Sequence, residues 1–151
     1  MDDDRTPTQE NIGLLLALAS GRAVAAAGEV LRPRGLNARS YSLLEQLVLA
    51  DGPSQRELAD ALRLDPSQIV ALVDLLEERG LARRRPHSAD RRQKLVAVTP
   101  AGRRLYAQVR VDVEYSLDDV LADLSPDERE LLRSLLHRIV RPTAVALEDA
   151  G

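Results

Sequence analysis

The chain has no cysteine, no phenylalanine and no tryptophan. Without thiols there can be no disulfide, no thiolate metal site, no thiol nucleophile and no thiol-based redox switch. Three tyrosines are the whole aromatic complement, so the core has to be aliphatic, and the stacking platforms of single-strand nucleic-acid binders are not expected. Histidine is almost as scarce. His87 and His137 are the only two, and no carboxylates cluster with them at metal-ligand spacing, so neither a metal nor a cofactor is expected. No apolar run reaches eighteen residues without interruption, which argues against a membrane span. The acidic, polar start MDDDRTPTQE does not resemble a secretion signal. The expected location is therefore the cytoplasm, with no membrane partner. Ser40, Ser42, Ser54 and Ser67 have no histidine nearby in sequence and no glycine-rich phosphate loop is present, so catalysis is not expected.

What remains is 151 residues, 44% hydrophobic and 30% charged, which suits one compact domain or a small domain with an extension. The formal net charge is -3, but it is unevenly distributed. Arg79 to Arg104 holds nine basic residues against one acid, a net +8, which leaves 12 basic and 23 acidic residues elsewhere, a net -11. Its densest part, "RRRPHSADRRQK", carries five arginines and a lysine around one aspartate. A basic patch on an acidic body calls for a polyanionic partner.

Helix punctuation is unusually clear. The first ten residues look disordered. Asn11 to Leu31 then reads as an apolar helix stopped by "RPRG". Asn37 can cap a second helix carrying Tyr41, Leu44, Leu47 and Val48 at helical spacing. Ser54 and Glu57 stand at capping-box spacing and open a third helix, Ser54 to Arg63, with Leu58, Ala59 and Leu62 on one face. Asp65-Pro66, answered by Gln68, opens a fourth that runs to Arg79-Gly80 and buries Ile69, Leu72, Val73 and Leu76. Two helices joined by so tight a turn form a helix-turn-helix, whose second helix presents its N-terminal residues to the DNA major groove. The candidate readers are Ser67, Gln68, Val70 and Ala71.

After Gly80 the period changes. Leu81 to Arg85 and Lys94 to Val98 read as strands, joined by the loop Pro86 to Gln93 into a hairpin, or wing. Arg91, Arg92 and Lys94 are the wing's candidate DNA contacts, with Arg91 and Arg92 at a tip that suits the narrow minor groove. Asp90 is placed to accept hydrogen bonds from the Arg92 side chain and hold it extended. Arg83, Arg84 and Arg85 are candidate phosphate contacts, together with Lys94. Thr99-Pro100 opens a long fifth helix carrying Leu105, Val109, Val113, Leu117, Val120 and Leu121. Ser125-Pro126-Asp127-Glu128 opens a last one with Leu132, Leu135, Leu136 and Ile139, which Pro142 should end or kink. Leu14, Leu15, Leu16, Leu18 and the last two helices offer more apolar surface than one small domain can cover, so self-association is expected.

"LRLDPSQIVALVDLLEERGLARRR" followed by "ADRRQKLVAVTPAGRRL" resembles the MarR family of bacterial winged helix-turn-helix repressors. The pattern is recognition helix, Glu-Arg-Gly-Leu, an Asp-Arg-Arg wing and a strand ending in Thr-Pro-x-Gly, with looser similarity over residues 11 to 140. The resemblance implies a mainly α fold with a small β-hairpin wing. It divides the chain into a dimerisation helix (11–36), a winged helix-turn-helix domain (37–99) and C-terminal dimerisation helices (100–151). It also implies a homodimer, a pseudo-palindromic double-stranded operator and matches of Asp90 and Arg92 to the family's wing pair. Ser67 and Gln68 fall at its base-contacting positions. Val70, Ala71 and Leu75 stand where more polar residues are common, which leaves the bases read open.

A small phenolic or lipophilic ligand is implied between the dimerisation helices and the DNA-binding lobe, and Tyr41 is the candidate contact. The expected function is a homodimeric, sequence-specific transcriptional regulator, a repressor relieved by that ligand. The alternative is a winged-helix module that binds RNA or an acidic protein surface without sequence specificity.

Overall fold

A computed structural model describes residues 11–140 as two compact units, which divide after Leu117. The expectations of a disordered start and of a break at Pro142 concern residues outside that range. In the first unit the helices are α1 (Ile12–Leu31), α2 (Ala38–Leu49), α3 (Gln55–Leu62), α4 (Pro66–Glu78) and α5 (Pro100–Ser116). Between α4 and α5 lie strands β1 (Ala82–Pro86) and β2 (Lys94–Val98). The second unit holds α6 (Pro126–Val140).

Apart from α4, each helix starts where a side chain accepts one of its orphan N–H groups. Asn11 accepts from the Leu14 N–H at 3.0 Å. Asn37 and Ser40 bond each other's backbone reciprocally, both at 2.9 Å, and this lets the Ser40 hydroxyl be fully buried. Ser54 and Glu57 do the same for α3, and the hydrogen bonds from Ser54 hold the Glu57 carboxyl below the usual carboxylate range. Between α1 and α2, Pro33 lies in a 3₁₀ turn and Gly35 takes a left-handed conformation (φ 68°). The Arg79 guanidinium donates there to the carbonyls of Arg34 and Gly35, tying the end of α4 to this turn.

The core is aliphatic, as the composition requires. Leu43, Leu44 and Leu47 of α2, Leu58 of α3, and Ile69, Val73 and Leu76 of α4 meet Val96 of β2 and Val109 of α5. β1 and β2 pair antiparallel with Ala82 opposite Val98 and Pro86 opposite Lys94. β1 starts and ends one residue later than the sequence pattern predicts. The middle of β2 is bonded to the α2–α3 loop, where the Val96 N–H donates to the Pro53 carbonyl at 2.9 Å.

Thr99 joins the hairpin to α5. Its N–H donates to Leu81 O, its hydroxyl donates to Gly80 O at 2.6 Å, and the Thr99 hydroxyl oxygen accepts from the Gly102 N–H. This draws α5 so close that a Cβ on Gly102 would stand 2.2 Å from Leu81 O. The Thr-Pro-x-Gly pattern is thus a packing requirement. The helix ends at Ser116, short of the expected Leu117, Val120 and Leu121. Asp118 and Asp119 follow directly, and acids are unfavourable at the negative end of a helix dipole.

In the second unit, Ser125 and Glu128 form the expected capping box, and Arg129 pairs with Asp118 at 2.8 Å. Leu131, Leu135, Leu136 and Ile139 of α6 are exposed. In the first unit, Ile12, Leu15, Leu16, Leu18 and Val24 of α1 are exposed as well. Ile12–Arg34 is long and apolar enough to cross a membrane by length and composition alone, although Arg22 and Glu29 interrupt it.

Gly102→Ala is expected to lower stability by about 1–3 kcal/mol, the usual cost of overpacking. The midpoint of urea unfolding reads this directly, and an unchanged midpoint would show that α5 can move away from Leu81 at no cost.

Candidate nucleic-acid interface

The turn between α3 and α4 is made tight by Arg63, which adopts the left-handed conformation (φ 51°) that glycine usually supplies. Leu64 and Asp65 complete it, and α4 starts with its N-terminus at the surface. The Asp65 N–H donates to Gln68 Oε1 at 3.1 Å, which orients the carboxamide and leaves its NH2 group for an external acceptor. Helical periodicity then divides the residues. Ile69, Val73 and Leu76 point into the core, while Ser67, Val70 and Ala71 lie on the exposed side.

Strand alternation divides the arginine triplet of β1 in the same way. Arg83 and Arg85 are exposed, on one face of the hairpin. Arg84 lies on the face of the buried Ala82 and turns inward, with 22% of its side chain exposed. It pairs with Glu77 at 2.5 Å and Asp74 at 2.7 Å, both on α4, and its Nε donates to Gln55 Oε1 at 2.7 Å. The expectation at Arg84 was an outward-facing phosphate contact; here four of its five guanidinium donors meet the protein's own acceptors. Arg79 is occupied as well. Arg83, Arg85, Arg91, Arg92 and Lys94 are exposed and make no ion pair among the described residues.

The wing tip also departs from expectation. Asp90 Oδ1 accepts the backbone N–H of Arg92 at 2.9 Å. Its bond is to the main chain, so it shapes the turn and does not hold the Arg92 guanidinium. Opposite it, His87 Nδ1 accepts from the N–H groups of both Ala89 and Asp90 at 3.1 Å. His87 was not anticipated as an organiser of this loop. The available signal was a side-chain acceptor at the first loop position, where it can bond backbone two and three residues on.

Tyr41 stacks on Tyr106 of α5, with ring centroids 5.8 Å apart. Tyr106 is buried and its hydroxyl donates to Glu45 Oε1 at 2.8 Å. Burial, and then the hydrogen bond to Glu45, push the Tyr106 phenol above its ordinary range; burial and Glu45 raise Tyr41 too. Neither Tyr106 nor Glu45 was singled out in sequence, since the two are 61 positions apart. Among the described residues no group of three or more His, Asp or Glu is placed to hold a metal ion.

Residues 34–93, from the α1–α2 turn to the wing tip, match the MarR family profile. An X-ray structure of a MarR-family transcriptional regulator from Rhodococcus sp. RHA1 is 37% identical, covers 92% of this chain and 99% of its own, and superposes with a TM-score of 0.86. The chain belongs to the MarR family.

CouR from Rhodococcus jostii RHA1, solved with p-coumaroyl-CoA, is also 37% identical, covering 93% of this chain and 99% of its own with a TM-score of 0.83. A transcriptional repressor named CouR, solved on a 23-mer DNA duplex, is 29% identical, with a TM-score of 0.82 over 93% of this chain and 100% of that one. A putative regulatory protein for the hcr operon of Thauera aromatica is 36% identical over 71% of this chain, which spans 64% of that relative's length. The hairpin is therefore a MarR-family wing, and α3 and α4 are its helix-turn-helix. The family is one of transcription regulators and is not an enzyme class.

Asp90→Asn keeps the oxygen that accepts the Arg92 N–H, whereas Asp90→Ala removes it. Amide hydrogen exchange at Arg92 is expected to accelerate in the alanine variant alone, and equal acceleration in both would assign the effect to charge. Tyr106→Phe is expected to cost about 1 kcal/mol at neutral pH, the typical net worth of one hydrogen bond. A phenol whose folded pKa is raised adds stability below its unfolded pKa of about 10 and loses it as pH rises through the folded value. The gap between Tyr106→Phe and the parent should thus narrow above pH ~10; a constant gap in unfolding free energy would contradict it.

Proposed function

We propose that this MarR-family protein is a cytoplasmic, homodimeric, sequence-specific binder of double-stranded DNA, a transcriptional repressor released by a small-molecule ligand. One observation carries the reading. A surface helix presents Ser67, Gln68, Val70 and Ala71, and a hairpin projecting beside it carries five cations unpaired within the described residues. α4 lies in the major groove, where the Gln68 amide and the Ser67 hydroxyl meet base edges and Val70 and Ala71 contact thymine methyl groups. Arg91 and Arg92 enter the adjacent minor groove, with Asp90 shaping the turn behind them. Arg83, Arg85 and Lys94 meet phosphates and set register without reading sequence.

The exposed leucines of α1 and those of α6 each need a cover, and a second copy of the chain supplies it. A two-fold pair sets its recognition helices about 34 Å apart, one turn of DNA, so the operator is pseudo-palindromic. The ligand is a small phenolic or lipophilic molecule. Tyr41, half-buried and backed by Tyr106, offers it a ring face, and Glu45 behind them keeps the Tyr106 hydroxyl oriented. A solved relative holds a phenolic acid as its coenzyme A thioester.

Selection of bound duplexes from a random pool tests the reading. The expected winner is palindromic and favoured over a scrambled duplex by about 10³-fold or more. Arg92→Ala and Gln68→Ala should each reduce that preference, and a phenolic-acid thioester should weaken binding of the winner. Binding that enriches no sequence and simply fades with salt would instead favour a nonspecific polyanion partner.

A further inference from the structure

We infer that Arg84 is a positioning residue that locks the wing to the recognition helix, and that discrimination between DNA sequences depends on this lock. The inference rests on the proposed function for its consequence, though not for its geometry. A guanidinium is a rigid planar fork of five donors, and here it meets four acceptors on two helices. Nε reaches Gln55 on α3; Nη1 reaches Glu77 and Asp74 on α4; Nη2 reaches the Val70 carbonyl at 3.3 Å. The backbone N–H of Arg84 also donates to Glu77 Oε1 at 2.7 Å. One carboxylate thus holds both the strand and its side chain.

Two further facts give the contact its meaning. The Val70 carbonyl belongs to a residue on the DNA-facing side of α4, so the lock ends within the reading surface itself. Two carboxylates also face one guanidinium, so the cluster carries net negative charge and does not attract a phosphate. A wing free to rock would still bind DNA through its exposed cations. It would not require α4 and the wing tip to fit their grooves together, and specificity is what that joint fit provides.

The chain has no cysteine, so Ser67→Cys and Ser88→Cys place two spin labels, one at the start of α4 and one at the wing tip. Diluted with unlabelled protein, the pair should give a narrow distance distribution in the parent and a broad one in Arg84→Met and in Glu77→Gln, which keeps the shape of the side chain. Unchanged widths in both variants overturn the lock whether or not the protein reads DNA. With the selected and scrambled duplexes, both variants should lose about tenfold in preference, the scale of coupling within one network, while Arg84→Met leaves the salt dependence unchanged.

The opposite result is equally distinct. If Arg84 swings out to a phosphate, Arg84→Met flattens the salt slope by about one contact and weakens both duplexes alike, and Glu77→Gln, by freeing the arginine, tightens both. A parent that prefers no duplex refutes the proposed function and leaves the label distances to decide the lock.

Discussion

An inward-facing charge in a small aliphatic domain has to find its acceptors inside the domain, and the arrangement around β1 follows from that constraint. Three consecutive arginines on a strand cannot all face water, because alternation turns the middle one toward the body. Asp74, Glu77 and Gln55 are placed to receive it. With Arg84 satisfied inside, Arg83 and Arg85 are left outside, and the hairpin takes a fixed position beside α4. Among the described residues, the ion pairs between the hairpin and α4 are those of Arg84 with Asp74 and Glu77.

One close backbone approach and one left-handed turn set the remaining geometry. Thr99 and Gly102 bring α5 against Leu81 at a separation no side chain would allow. Arg63 bends the chain between α3 and α4 through a left-handed turn. These restraints lie at the junctions of elements, while the elements themselves are held by leucine and valine packing. The same shortage of aromatics leaves the Tyr41–Tyr106 pair as the one aromatic stack among the described residues.

Much of this was legible in sequence because caps and breakers are local. Asn37, Ser54, Asp65, Thr99 and Ser125 each announce a helix within four residues, and the helix-turn-helix and wing follow from their order. What was misread depended on faces and distance. Leu81 and Ala82 are both apolar, so alternation alone leaves open which arginines face inward; the observed start of β1 at Ala82 turns Arg84 in. Asp90 sits at the spacing at which a loop carboxylate bonds backbone two residues on, and it bonds the Arg92 N–H. The Glu45–Tyr106 bond joins α2 to α5 and leaves no local trace. Apolar spacing continues through Leu121, but α5 ends at Ser116, just before the acids Asp118 and Asp119.

On the proposed reading, the arginines of this wing divide into one that holds the hairpin to α4 and others that face DNA. A crystal structure of the protein on its selected duplex tests this most directly. The expected complex has α4 in the major groove, Arg91 and Arg92 in the neighbouring minor groove, and Arg84 still held by Asp74 and Glu77. A complex in which Arg84 has left those carboxylates for a phosphate, or in which the wing stands clear of the duplex, would contradict it.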